Sequence, residues 1–186
     1  MKKTKEIDNL REGARNLVSD YACVGKGENV CVFSDTSCDP LVTEAIAEAA
    51  RKAGGRVVVI IADETPDPEE SGLVDPPPVA VNAFYAADVI LSILSIFKMQ
   101  WSTQSLARAL NEYGVRLAYI GPNSAAELAK AWARFPAEIA FAIGKKTLAD
   151  LQEGGWEITI TDANGTDLKA KVNPDHWSGA GARGPM

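Results

Sequence analysis

The chain has 186 residues, 46% of them hydrophobic and 24% charged, which suits one generous globular domain, or a domain with a small appendage, and excludes disordered and collagen-like classes. Nineteen Lys and Arg against 25 Asp and Glu leave a formal charge of -6, so the basic field that nucleic acid or an anionic membrane surface would require is missing. Cys23, Cys31 and Cys38 are too few and too widely spaced for a disulfide framework and form no C-x-x-C pair, which favours a reducing cytoplasm over an oxidising compartment and argues against a zinc or redox motif.

The basic start, Met1-Lys2-Lys3-Thr4-Lys5, runs into Asp8, Arg11 and Glu12 instead of an apolar stretch, so no secretory signal is expected. Residues 6–21 place Ile7, Leu10, Ala14, Leu17, Val18 and Tyr21 at helical spacing, predicting a helix with one buried face. The Gly25-Lys26-Gly27-Glu28-Asn29 stretch breaks it, and Val30-Cys31-Val32-Phe33 reads as a strand covered on both faces. A polar loop over residues 34–40 leads to Asp39-Pro40, an N-cap followed by proline at the first helical position; the helix runs through Ile46 and Ala50 until Gly54-Gly55 stops it.

Residues 56–62, Arg-Val-Val-Val-Ile-Ile-Ala, are β-branched at nearly every position and predict a strand at the sheet's centre. The stretch 63–78 carries five prolines and six acids and reads as an exposed loop over an edge of the sheet. A helix over 79–86, a strand over 88–94, a loop over 95–103, a helix over 104–113 and a strand over 116–120 follow. Asn123 or Ser124 caps a further helix, and Pro136 starts another through Ile139, Ile143, Leu148 and Leu151. No apolar run approaches the ~20 residues of a membrane span, so a soluble protein is expected.

Strands and helices alternate four times, which predicts an α/β fold: an open parallel sheet with helices on both faces. The periodicity then switches to two: residues 156–162 and 168–172 alternate around Ala163-Asn164-Gly165, the signal of an antiparallel hairpin. Beyond it lies an irregular, glycine-rich tail. The division expected is an α/β domain over 1–153 and a hairpin with its glycine-rich connection over 154–186.

Open parallel sheets bind ligands beyond the carboxyl ends of their strands. There the chain offers Ser34, Asp35, Thr36, Ser37, Cys38 and Asp39 beside a helix start, either a polar ligand site built on hydroxyls and backbone N–H groups or plain capping and turn chemistry. No G-x-G-x-x-G and no phosphate loop follows the first strand, so the fold is Rossmann-like without the nucleotide fingerprint. The acids at 63–70 lack the spacing of a calcium loop and read as a solvated surface. Cys31 belongs to the core, and Cys38 is the thiol expected to be reachable. The one histidine, His176, sits between Asp175 and Trp177. It is either a surface residue or part of a pocket with Trp177 as its wall, and with one His and scattered Cys no complete soft-metal site is expected from this chain alone.

Ala14-Arg15-Asn16-Leu17-Val18, Gly27-Glu28-Asn29-Val30, Asp39-Pro40-Leu41-Val42, Ala86-Ala87-Asp88-Val89 and Gly165-Thr166-Asp167-Leu168 together resemble the N-terminal part of the thermophilic aminopeptidase family, peptidase family M29, which also contains the 2,5-dihydroxypyridine dioxygenases. Asp175-His176-Trp177 is more similar to the dioxygenase branch, whereas Trp101-Ser102-Thr103 stands where that branch has a pocket histidine. The resemblance implies a two-part enzyme whose C-terminal domain holds the divalent metal, zinc, cobalt or manganese in the aminopeptidases and iron in the dioxygenases, and forms a dimer. It implies that this chain stops before those ligands, as a fragment or one subunit of a split enzyme, inactive alone. Asp35, Trp101, Ser102 and Trp177 would then line the pocket for a small peptide or aromatic amide substrate, with His176 orienting it or carrying a proton, and a homodimer or partner subunit would carry the metal domain. A ring-cleaving dioxygenase and a non-catalytic binding or assembly module are the alternatives.

Overall fold

The computed structural model describes residues 2–64, 75–94, 104–122, 124–152 and 156–171. They fall into two compact units, Met1–Phe135 and Pro136–Met186. In the first unit, helix α1 (Lys2–Arg15) continues as a wider π-helical turn over Asn16–Tyr21. Then come β1 (Asn29–Asp35), α2 (Pro40–Lys52), β2 (Arg56–Ala62), α3 (Pro78–Ala86), β3 (Val89–Ser92), α4 (Gln104–Asn111), β4 (Arg116–Tyr119), the short α5 (Ala125–Leu128) and a 3-10 turn over Ala131–Arg134. The four strands form one parallel sheet in the order β2-β1-β3-β4, the α/β architecture expected from the alternating pattern. Among the described residues no helix is long and apolar enough to cross a membrane.

Strand β1 is the sheet's inner axis. Val30, Cys31, Val32 and Phe33 are all buried, and since successive side chains point to opposite faces, both faces must be covered. Phe33 meets Phe84 of α3 edge to face at 5.1 Å, while Ser34, on the other face, receives the hydroxyl of Thr43 from α2 at 3.3 Å. Helices therefore flank the sheet on both sides. The strand also runs two residues further than its apolar run, because Ser34 and Asp35 stay in register with Ile61 and Ala62.

One expectation fails. Strand β2 is an edge strand, not a central one: its only sheet neighbour among the described residues is β1, and Val58 and Ile61 are 49% and 58% exposed. β-Branched composition reports that a strand suits a pleated backbone, not how many neighbours it has. Connectivity decides the rest, because the chain returns across β1 to place β3 on its other side. The helix predicted after Ser124 is also divided: the Ser124 hydroxyl accepts the Glu127 N–H as a cap, but the helix yields to a 3-10 turn at Ala131.

Helix α1 lies against this last segment at very short range. A Cβ on Gly13 would fall 2.4 Å from the Leu128 carbonyl oxygen and 3.1 Å from the Ala133 Cβ, so glycine is what lets the two backbones approach. One turn on, the buried Asn16 carboxamide donates to the carbonyls of Ala133 and Phe135 at 2.8 and 2.9 Å, satisfying groups that the short helical pieces leave unpaired.

In the second unit, α6 (Ala137–Gln152) precedes an antiparallel hairpin of β5 (Glu157–Thr161) and β6 (Asp167–Lys171). The Trp156 indole donates to the Asp150 carbonyl at 2.5 Å, tying the hairpin's base to the helix. The turn is looser than a two-residue Asn-Gly loop: the Gly165 N–H bonds the Asp162 carbonyl, and Gly165 alone takes a positive φ, +99°. The Thr166 hydroxyl, followed by the Thr166 and Asn164 N–H groups, holds the Asp162 carboxyl below its ordinary range.

Gly13→Ala is expected to destabilise the first unit by about 1–3 kcal/mol through this backbone clash. Gly144→Ala in α6, where an added methyl meets nothing within 4 Å, is expected to stabilise its helix by ~0.5–1 kcal/mol. Urea titrations followed by circular dichroism measure both, and a neutral Gly13→Ala would contradict the α1 packing.

Candidate functional site

From β1 the chain steps outward to β2, then returns to the other side of β1 to lay down β3 and β4. The direction of winding thus changes between β1 and β3, and the crevice beyond their carboxyl ends is where an open sheet of this kind takes its ligand. Ser34, Asp35 and the turn that follows come from β1; Ser92 and Ile93 come from the end of β3. The Ile93 N–H bonds the Phe33 carbonyl at 2.9 Å and the Ile120 N–H bonds the Ser92 carbonyl at 2.8 Å, so the three strand ends are fastened side by side.

Asp35 is at the centre and is 1% exposed. Its Oδ1 accepts the Ser37 N–H at 2.9 Å, the Ser37 hydroxyl at 2.5 Å and the Cys38 thiol at 3.6 Å, the convergence that a buried carboxylate needs. The Cys38 sulfur also lies 3.9 Å from the Ile93 carbonyl, which links the β1 turn to the β3 end. Ser92 is fully buried. The constellation at the switch point is thus one carboxylate, a set of hydroxyls and one thiol, held by short-range turn geometry.

Asp39 does a different job. Its Oδ1 accepts the Leu41 N–H at 2.9 Å, capping α2, while its Oδ2 accepts the Ala125 N–H at 2.9 Å at the start of α5. One side chain therefore holds two helix starts. Of the two readings of the loop, capping describes Asp39, and turn chemistry describes the bonds that Asp35 accepts from Ser37 and Cys38.

Of the residues expected to line the pocket, Asp35 is placed at the switch point, whereas Trp101, Ser102, His176 and Trp177 lie outside the described residues. Ser37 and Cys38 join Asp35 in the structure, and Ser92 is buried at the end of β3, with no sequence signal beyond its place at a strand end. The expectation that Cys38 is the reachable thiol is corrected: it is 8% exposed, and Cys23 is the less buried one, because the turn points the Cys38 sulfur inward at Asp35. Cys31 is core as expected, and burial pushes its thiol up to about 12. Among the described residues no group of three His, Cys, Asp or Glu is placed to hold a metal ion. Grooves of about 480 and 430 Å³ run along α1 and α2; none of the switch-point cluster lines them.

No protein-family profile and no curated protein sequence matches the chain. Among solved structures it is similar to a 2,5-dihydroxypyridine dioxygenase from Pseudomonas putida, with a TM-score of 0.56 and 15% identity over 88% of this chain and 47% of that one. It also matches AmpT from Thermus thermophilus, with a TM-score of 0.35 and 19% identity over 74% of this chain and 33% of that one. An alcohol dehydrogenase superfamily protein from Novosphingobium aromaticivorans gives 0.36 and 14% over 76% of this chain and 49% of that one. The chain thus spans half or less of the length of these proteins. At such identity the dioxygenase match shows a shared α/β fold.

The geometry orders the thiols by reactivity. With a disulfide reagent at mildly alkaline pH, one fast-reacting thiol is expected, lost in Cys23→Ser, with Cys31 and Cys38 reacting only as the protein unfolds; a fast phase lost in Cys38→Ser instead would refute the inward thiol. Asp35→Ala, which strips Ser37 and Cys38 of their acceptor, should cost about 1–3 kcal/mol, read from a denaturant midpoint, and should raise the Cys38 reaction rate.

Proposed function

We propose that the chain is the N-terminal, substrate-side domain of a two-part metal-dependent hydrolase of the M29 aminopeptidase kind, acting on an amide bond of a small peptide or aromatic amide. The observation that supports it is where the motifs behind that resemblance fall. Ala14 to Val18 spans the α1 joint whose Asn16 holds Ala133 and Phe135. Gly27 to Val30 includes the positive-φ turn at Gly27 before β1. Asp39-Pro40 is the double helix anchor, and Asp88 accepts the Asn29 N–H at 2.7 Å where α3 meets β3. Gly165 to Leu168 closes the hairpin. The first four of these motifs hold helices and strands of the first unit together, and the last closes the hairpin of the second, so each resembling motif falls at a joint of the fold.

In this reading residues 1–153 form the substrate-side domain and 154–186 the connection towards a metal domain carried by further chain, a homodimer mate or a partner subunit. Asp35, backed by Ser37 and Cys38, orients a polar group of the substrate, with Trp101, Ser102 and Trp177 as the walls and His176 positioning the substrate or carrying a proton. A zinc, cobalt or manganese ion would supply an activated water against the carbonyl. Among the described residues no group of three His, Cys, Asp or Glu is placed to hold such an ion; this reading assigns it to the other half.

A second reading is a non-haem iron dioxygenase opening a hydroxylated N-heteroaromatic ring. It is favoured by Asp175-His176-Trp177 and by the fold shared with the dihydroxypyridine dioxygenase.

The purified 186-residue chain is expected to hydrolyse no aminoacyl-anilide with zinc, cobalt or manganese; turnover would refute the missing-half reading. With its metal-bearing half present, hydrolysis of such substrates supports the first reading, and iron(II)-dependent oxygen uptake on a dihydroxypyridine would replace it with the second. In that assembled enzyme His176→Ala should lower kcat by about 10²-fold, with a smaller change in KM.

A further inference from the structure

The two edges of the four-stranded sheet differ in kind. Strand β4 has four residues, and its leading Arg116 is held by the Glu28 carboxylate at 2.8 Å, a short edge guarded by charge. Strand β2 has seven residues, with neither a proline nor a charge from Val57 to Ala62, and among the described residues no strand pairs with its outer side. None of the usual protections of an edge is built into it.

The hydrogen bonds show which backbone groups face outward. The Arg56 N–H bonds the Glu28 carbonyl at 2.7 Å, and the Ala62 carbonyl accepts the Thr36 N–H at 3.1 Å, so residues 56, 58, 60 and 62 direct their backbone groups at β1 and its flanks. Alternation then turns those of Val57, Val59 and Ile61 outward.

We propose that this edge pairs with β2 of a second copy of the chain, antiparallel about a two-fold axis at Val59, fusing two sheets into one. The register is selected by the strand itself. With Val59 opposite its own mate, Val57 lies opposite the partner's Ile61, and every outward-facing residue exchanges both backbone bonds with another outward-facing one. The half-exposed Val58 comes against the partner's Ile60 in a close, non-hydrogen-bonded pair, and Ile61 against the partner's Val57. The strand's ends are of opposite charge: Arg56 leads it, and Asp63 and Glu64, both exposed, follow it. The two-fold axis sets Arg56 opposite the small Ala62 of the partner, and the alternation puts the partner's Glu64 diagonally beyond it, within reach of a long side chain. The edge is therefore complementary to itself in backbone bonds, apolar surface and charge, which is what an isologous contact requires. This contact stands apart from the hydrolase reading and does not depend on it.

Light scattering and sedimentation velocity over a wide concentration range are expected to give twice the 19.8 kDa chain mass. Val59→Pro removes an outward N–H that β1 does not use; it should give a monomer with an unchanged far-ultraviolet spectrum, whereas Ile60→Pro, whose N–H faces β1, should unfold the sheet. Because proline also constrains the strand locally, a charge exchange provides the second arm: Arg56→Glu should raise the dimer Kd about tenfold as two like-charge contacts replace two opposite ones, and adding Asp63→Lys and Glu64→Lys should restore it. A wild-type chain that stays monomeric throughout, or a dimer that persists undiminished in both Val59→Pro and Arg56→Glu, would overturn the proposal.

Discussion

Pairing of β1 on both sides is the constraint from which the rest of the first unit follows. With β2 on one flank and β3 on the other, β1 lies inside the sheet, and the helices on its two faces bury four successive apolar residues, each worth about 1.5–3 kcal/mol. Helices α2 and α3 cover opposite faces, as the Thr43 and Phe84 contacts show. The pairing also creates the switch point. A strand flanked on both sides ends at a place where one loop leaves towards each face, and a crevice opens between them.

Chemistry at that crevice depends on how firmly the loops are held. Turn geometry alone would leave the β1 loop mobile, but Asp35 gathers Ser37 and Cys38, and Asp39 locks the starts of α2 and α5 together. Placed between two strand ends, Asp35 fixes the β1 turn, and Cys38 links that turn to the end of β3. The fold shared with the dihydroxypyridine dioxygenase adds no residue roles at 15% identity.

Much of the fold was legible because it is local. Asp39-Pro40 announces an N-cap, Gly54-Gly55 a stop, and Val30 to Phe33 a doubly buried strand, and each is found in place. What failed was non-local. Strand β2 carries the composition of a central strand yet lies at an edge, because neighbours are assigned by the crossovers and not by the residues. Cys38 read as reachable because it stands in a polar loop, but the turn that makes Asp35 an acceptor rotates the sulfur inward. Ser92 was invisible for the same reason, its importance being its distance from β1 in space and not its surroundings in sequence. Asp35 was legible as part of the run of hydroxyls and carboxylates that follows the first strand.

The misplaced strand and the site bear on each other. A seven-residue β-branched edge joined to its own copy makes the composition of β2 sensible, since the strand then has the two neighbours that its sequence suits. The two-fold axis that achieves this runs the paired strands antiparallel, so the carboxyl end of one sheet lies beside the amino end of the other. The two switch points are then carried to opposite margins of the fused sheet. In the proposed dimer neither crevice is covered by the contact, and neither borrows a residue from the other copy.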